Sequence, residues 1–356
     1  MSREQRKKKA NWKRIALIVT CVVLALVLVL LAVAGAALNY LDKSLDKMNY
    51  VTGDTTVSPE EASSMEMEEW ESIDPSDTTP YIDATDVTFA TLPSYPVVSG
   101  DHIVNIMMVG QDARPGQGTQ RSDCMILLTF NRTTGEITLT SFLRDQYVQI
   151  PGYGATKLCH AYRYGGMTLL NQTLYNHYGV EIDGNVEVNF TGFSEIIDLL
   201  GGVEINLSQK EANYLNQKGG WNLEAGLNRL TGEQALRYSR VRHIDSDYQR
   251  TDRQRKVLLS LIEAYKDRPL VEMIGLLDQI MPLITTNIPK DDIYGYAVEL
   301  FPLLADAEIG SQRLPKVGTF TDGKIKVAEG YLAACQYDVD FEANRKILEK
   351  IFDEIP

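Results

Sequence analysis

HIVNIMMVG at residues 102–110, CMILLTFN at 124–131 and EITLTSFL at 136–143 decide the fold. Each is an apolar run of strand length bounded by glycine or polar residues, the pattern of a strand buried in a sheet. The turn signal Asn131-Arg132-Thr133-Thr134-Gly135 between the second and third predicts a hairpin. Outward from these runs, Leu170, Leu174 and Tyr178 recur at helical spacing within 167–178. NVEVNF at 185–190 and GVEINL at 202–207 read as short strands. Between them Phe193, Ile196, Ile197 and Leu200 form a helix stripe closed by Gly201-Gly202. Thr231–Gln234 and Thr251–Gln254 both fit a capping box. The second box predicts a helix start with Val257, Leu258, Leu261 and Ile262 on its apolar face, placing Arg250 just ahead of the helix. Further helices are expected around 270–280 and 293–304, and VDFEANRKILEKIF at 339–352 is amphipathic. Strands and helices mix without a strict βαβ alternation or an internal repeat. The reading is an α/β (α+β) domain, three layers α-β-α around a central mixed sheet.

The N-terminal part is of another kind. Arg3, Arg6, Lys7, Lys8, Lys9, Lys13 and Arg14 stand against a single Glu4, and residues 15–41 carry no charge. That run is long enough for one transmembrane helix and longer than the apolar core of a cleaved signal. The basic tail, 1–14, is expected to stay in the cytoplasm, which puts everything after the helix outside the cell membrane. Residues 42–100 are rich in Ser, Thr, Glu and Asp and read as an acidic flexible linker, with a short helix around Glu60–Glu71 as its one candidate element. The outer domain is then 101–356.

The 356-residue chain has a formal net charge of −13, which argues against general nucleic-acid binding. A basic patch in so acidic a chain is local and points to a specific anionic ligand. Cys124, Cys159 and Cys335 are scattered without a CxxC pair, so they form neither a zinc site nor a disulfide framework. They read as buried thiols, with one bridge among them left open.

Three polar islands carry chemistry. Gln111–Asp123 is a loop between two strands, with Asp112, Arg121 and Asp123 suited to hold a divalent cation and an anion together. Arg144-Asp145 follows the third strand directly, and Lys157 follows in a glycine-rich turn. Residues 240–255 hold Arg240, Arg242, Asp245, Asp247, Arg250, Arg253, Gln254 and Arg255. In extended chain Arg240 and Arg242 face one side. Arginine forks match phosphate bidentately, and a helix N-terminus favours anions. Taken singly, each island also reads as solvated ion pairs, and Arg253 and Arg255 read as solvent-facing. GxxxxGK[ST], HExxH and GxSxG are absent, and the four histidines are scattered.

Taken in order, the stretches NIMMVGQDARPG, RSDCMILLTFN, LTSFLRDQYVQIPGYGATKLCHAYRYGG, VNFTGFSEIIDLLGGVEINL, LTGEQALRYSRVRH and QRTDRQRKVL resemble the LytR–CpsA–Psr family of bacterial cell-wall enzymes. The resemblance implies a phosphotransferase that moves an anionic glycopolymer, of teichoic acid or capsular type, from undecaprenyl pyrophosphate to a peptidoglycan muramic acid hydroxyl. It implies Mg2+ (or Mn2+) on Asp112 and Asp123, with Arg121 ordering that pair. Arg144, Arg240, Arg242, Arg250 and Gln254 grip the pyrophosphate in this reading, with Lys157 beside them, and Asp247 is the candidate base, Asp245 lying close by. Phe190, Phe193 and Ile197 would line a tunnel for the polyprenyl tail, or form plain core. Two departures stand out: Gln111 where the family has Ile before the aspartate, and Cys159 where an Asn usually follows the lysine. Pyrophosphatase action on the lipid, or a non-catalytic envelope sensor or transcription attenuator, remain as alternatives.

Overall fold

The protein is seen in a computed structural model that describes residues 37–353, except 52, 55, 68–69, 74–79, 88, 90–99, 113–118, 243, 266–269 and 305–308. The chain divides into two units, 1–48 and 49–356. In the first, a helix runs through 37–45. Up to residue 36, the apolar run 15–41 lies outside the described residues. Among the described residues no helix is long and apolar enough to cross a membrane.

The second unit begins with β1 (Asn49–Tyr50), α1 (Pro59–Met67), β2 (Glu71–Ser72) and β3 (Tyr81–Asp83). The three runs read first from the sequence are β4 (Ile103–Gln111), β5 (Ser122–Asn131) and β6 (Ile137–Phe142). Next come β7 (Tyr147–Ile150), β8 (Gly154–Lys157), α2 (Leu158–Tyr178), β9 (Gly184–Asn189), α3 (Phe190–Leu199), β10 (Val203–Leu207), α4 (Gln209–Gly219), β11 (Gly226–Leu230) and α5 (Gly232–Ser239). The remainder is α6 (Asp247–Tyr265), α7 (Leu270–Ile280), β12 (Thr285–Thr286), α8 (Lys290–Leu304), β13 (Ile309–Leu314), β14 (Thr321–Ala328), β15 (Tyr331–Tyr337) and α9 (Phe341–Asp353).

Seven strands make the central sheet in the order β1-β12-β9-β4-β5-β6-β13. It is mixed: β4–β5 and β5–β6 are antiparallel, β4–β9 and β6–β13 parallel. Alternate β4 side chains feed opposite faces. Ile103, Met107 and Val109 join Met125, Leu127, Leu170, Leu174, Leu348 and Phe352 in a core under α2 and α9. Val104 and Ile106 join Phe130, Ile137 and Ile288, with Ile293 and Tyr296 of α8 packed against them. Burial on both faces is why these strands are continuously apolar rather than alternating. It also delivers the expected three layers. A side lobe formed by the β10–β11 hairpin and α3 to α6 has its own core of Ile197, Val203, Ile205, Leu215, Leu230, Tyr238 and Val257.

Two expectations need correction. The stretch 42–100 is not a spacer throughout. From Asn49 on, β1 pairs with β12, and β2 and β3 flank β14 and β15 in a four-stranded sheet. Ala62 of α1 is buried in the main core, Glu66 accepts a hydrogen bond from the Tyr164 hydroxyl, and Asp54 accepts one from the Thr168 N–H. Docking by a few small apolar contacts and carboxylate hydrogen bonds leaves no hydrophobic periodicity to read.

The second correction concerns capping. Thr231 and Gln234 do form the predicted box at α5, worth about 1 kcal/mol. The Thr251–Gln254 pair does not: α6 already starts at Asp247, and Thr251 Oγ1 donates to the Tyr248 carbonyl inside the helix. Arg250 therefore lies in the first turn, and Gln254 is free to point elsewhere.

Candidate functional site

The antiparallel register pairs Gln111 with Ser122, so Asp112, leaving β4, and Asp123, entering β5, emerge at one sheet edge. Arg121 immediately precedes β5. Arg144 follows β6, whose Ser141 pairs with Ile126 of β5. Its guanidinium donates to Asp123 Oδ1, and its Nε lies 3.4 Å from Asp145. Lys157, at the end of β8 and the start of α2, places Nζ 3.5 Å from the other Asp145 oxygen.

The first turn of α6 supplies the opposite wall. Asp247 is bonded by Arg250 Nη2 at 2.9 Å, and Arg242 Nε stands 3.6 Å away. Gln254, two turns along, donates to the Asp123 carbonyl at 3.4 Å. Arg240, capping the C-terminus of α5, reaches Asp112 at 3.4 Å with its guanidinium over the Phe190 ring, 4.2 Å from the centroid.

Electrostatics tie these groups together. Burial, then the Asp145 charge, pushes the Asp247 carboxyl up to about 6, against the pull of Arg242 and Arg144. For Asp145 burial works the other way from its neighbours, and Arg144, Lys157 and Arg242 prevail, holding it below the usual carboxylate range. Two aspartates thus sit in one nest with opposite tendencies. One is firmly ionised and one is poised to exchange a proton, the arrangement that assigns acid and base roles.

Asp245 does not compete for that role. It is tied to Arg253, which also bonds Glu211 at 2.7 Å and the Val241 carbonyl at 3.1 Å. Arg253 and Arg255 are not the solvent-facing residues the sequence suggested; they are 3% and 6% exposed. Their charges are buried because carboxylates partner both, Asp252 in the case of Arg255.

Sequence reasoning also missed Glu187. In the middle of β9 it accepts from the Tyr162 hydroxyl and the Gln111 amide, while Gln111 Oε1 accepts the Gln120 N–H at 3.0 Å. The unusual Gln111 therefore has a partner, and together they fasten both described ends of the Asp112 loop. A lone carboxylate in an apolar strand flanked by two others was the available signal.

Of the proposed tunnel residues, Ile197 is buried in the side-lobe core, Phe193 packs against it, and Phe190 lies under Arg240. A separate cavity of about 690 Å³, lined among others by Leu227, Leu259 and Ile309, touches none of the charged residues above. The cysteines Cys124, Cys159 and Cys335 are free thiols. Burial, reinforced by Asp123, pushes Cys124 up to about 12, which rules it out as a neutral-pH nucleophile. His160 and His177 are buried on Thr156 and the Gln149 carbonyl, structural roles both.

The family model described as the LytR_cpsA_psr family matches residues 53–339. Over 212 residues the chain is 34% identical to the polyisoprenyl-teichoic acid–peptidoglycan teichoic acid transferase TagT of Bacillus subtilis, 58% of this chain and 65% of the relative. It thus spans somewhat under two thirds of that protein. Over 243 residues it is 33% identical to the TagU transferase of Enterococcus faecalis, 67% of this chain and 77% of the relative. A solved structure of TagT with bound octaprenyl pyrophosphate lipid matches 78% of this chain and 100% of its own, at 25% identity and a TM-score of 0.54.

Proposed function

This chain belongs to the LytR–CpsA–Psr family, and from that premise we propose that it transfers an anionic glycopolymer from a polyprenyl pyrophosphate carrier to a muramic acid hydroxyl of peptidoglycan. The observation that carries the reading is the convergence of Arg144, Arg242, Arg250 and Lys157 on Asp123, Asp145 and Asp247, with Gln254 and the Arg240–Asp112 pair beside them. Relatives named as teichoic acid transferases and a related structure holding a polyprenyl pyrophosphate support the substrate class.

The reaction needs positioning and charge neutralisation more than covalent help from the protein. The acceptor hydroxyl oxygen attacks the phosphorus that bears the polymer. The bond from that phosphorus to the bridging oxygen breaks, and the lipid leaves as its monophosphate. Arg144, Arg242 and Arg250 exchange aspartate partners for pyrophosphate oxygens and take up the charge that develops on the leaving phosphate. Asp247, with its carboxyl near neutrality, accepts the hydroxyl proton.

Among the described residues no three His, Cys, Asp or Glu side chains gather to hold a metal ion. Mg2+ prefers a few carboxylates completed by phosphate oxygens, and that donor set fits here. Asp112 is partly exposed and paired with Arg240 at 3.4 Å, which leaves its carboxylate able to turn to a cation together with the Asp123 oxygen that Arg144 does not engage. Bound there, Mg2+ (or Mn2+) would supply further charge neutralisation at the phosphates. The basic tail and apolar run at 1–41 make the chain a membrane protein with this domain outside the cell.

The test is to incubate the full chain in detergent micelles with a polyprenyl-pyrophosphate-linked glycopolymer and peptidoglycan, with Mg2+ or with a chelator. Polymer attached to the wall, lost on chelation, is expected. Lipid monophosphate released without wall-bound polymer would mean a pyrophosphatase, and binding without turnover would mean a sensor.

A further inference from the structure

Helix α6 carries a second group of charges on another flank. Asp247, Arg250 and Gln254 face the site above; Tyr248, Asp252 and Arg255 are displaced from them by roughly 100° around the helix and face β13. Arg255 is 6% exposed; its Nε donates to Ser311 Oγ at 2.8 Å and its Nη2 to Asp252, while its Nη1 is buried without a hydrogen-bond partner among the described residues. Arg313 of β13 lies over the Tyr248 ring, 4.7 Å from the centroid, donates to the Tyr248 carbonyl at 3.2 Å and stands 3.7 Å from Asp252. Its Nε is likewise buried and unpartnered among the described residues. Lys316, just beyond the strand, has its ammonium held below the usual range by burial and by Arg313 and Arg255. Asp252 is the carboxylate shared by both arginines. The nearby Asp322 is engaged by the Tyr248 hydroxyl and the Gln336 amide.

A half-buried group of like charges with donors left over is unfavourable unless something neutralises it. We propose that the seam between α6 and β13 binds one small oxyanion, a phosphate or carboxylate group, on Arg255, Arg313 and Lys316. This subsite is distinct from the pyrophosphate cluster and shares a helix with it. Guanidinium donors spaced on two elements suit either anion. If the transfer reading holds, the group comes from a phosphate of the glycopolymer or a carboxylate of the wall peptide; the subsite itself does not depend on that reading.

The experiment follows binding of inorganic phosphate to the full chain in micelles by calorimetry, in an Arg242→Ala background that weakens the first cluster. Saturable binding should persist there. Adding Arg313→Gln and Lys316→Gln should weaken it at least about tenfold, as expected for loss of charge-assisted hydrogen bonds, with the melting temperature unchanged. Should the combined variant melt early, Lys316→Gln alone, at a partly exposed position, repeats the comparison. Displacement of phosphate by glycerol 3-phosphate assigns the polymer as source, and displacement by muramyl dipeptide assigns the wall peptide. Absence of saturable binding in the Arg242→Ala background, or binding indifferent to Arg313 and Lys316, overturns the subsite. Displacement by neither competitor overturns its assignment to a substrate group.

Discussion

Arg250 and Arg253 leave the same helix three residues apart and are both buried, yet their surroundings differ in kind. Arg253 spends its donors on Glu211, Asp245 and the Val241 carbonyl, with the Tyr238 ring 5.9 Å from its guanidinium carbon. Among the described residues Arg250 has Asp247 alone, and its Nε is unpartnered. The first pattern is a clamp that closes the side lobe. The second is a cation whose partner can be exchanged, and it stands among others of the same kind. In a buried setting, unused donor capacity separates an arginine that binds from one that braces.

The widest gap should appear between Arg242→Ala and the clamp. Removing Arg242 should lower transfer by about 10³-fold or more, the range for a well-placed arginine in phosphoryl transfer, while the melting temperature stays put. Arg242→Lys should fail too, since lysine lacks the bidentate fork. Full activity of either variant on a lipid pyrophosphate substrate would erase the distinction. Arg253→Ala should do the reverse. It strands Glu211 and Asp245 and should lose about 3–5 kcal/mol in denaturant unfolding, as for other broken buried pairs.

The pH dependence sharpens the same contrast. The Asp247 carboxyl is raised from its ordinary 3.8 to about 6 in the folded chain, so the folded state holds that proton more tightly than the unfolded one. Its contribution to stability is therefore greatest below about pH 4, declines as pH rises to about 6, and is level above. Asp247→Asn should abolish that decline and also abolish transfer, a gain and a loss that mark a functional carboxylate. In the unmodified chain kcat/KM should drop about tenfold per pH unit below pH 6. A flat profile there would remove Asp247 as the base. The smallest effect is expected at Glu187→Gln. It loosens Gln111 and the Asp112 loop and should slow turnover severalfold, within about one decade, with stability unchanged or improved. A normal rate would show that Glu187 is only core.

What could be read from the sequence follows from how each element is held. The strands β4, β5 and β6 were legible because both of their faces are buried, which writes long apolar runs. The Thr231 box was legible because capping is local chemistry. Thr251 and Gln254 share that spelling, yet Gln254 turns to the Asp123 carbonyl, a tertiary contact that no local rule contains. Apart from the short helix expected around Glu60–Glu71 and found at Pro59–Met67, the described part of 49–87 was illegible for the opposite reason to the core strands. It docks through isolated contacts such as Ala62 and Glu66, with no period to detect. The chemical types at the site were visible one by one. Which aspartate each arginine faces, and so the separation of Asp247 from Asp245, needed the fold.

The arrangement is tested most directly by the structure of the chain with a polyprenyl pyrophosphate and Mg2+ bound. Arg144, Arg242 and Arg250 should be released from Asp123 and Asp247 onto the pyrophosphate oxygens, with Arg253 still on Glu211 and Asp245. A pyrophosphate bound elsewhere, with those arginines still on their aspartates, would contradict it.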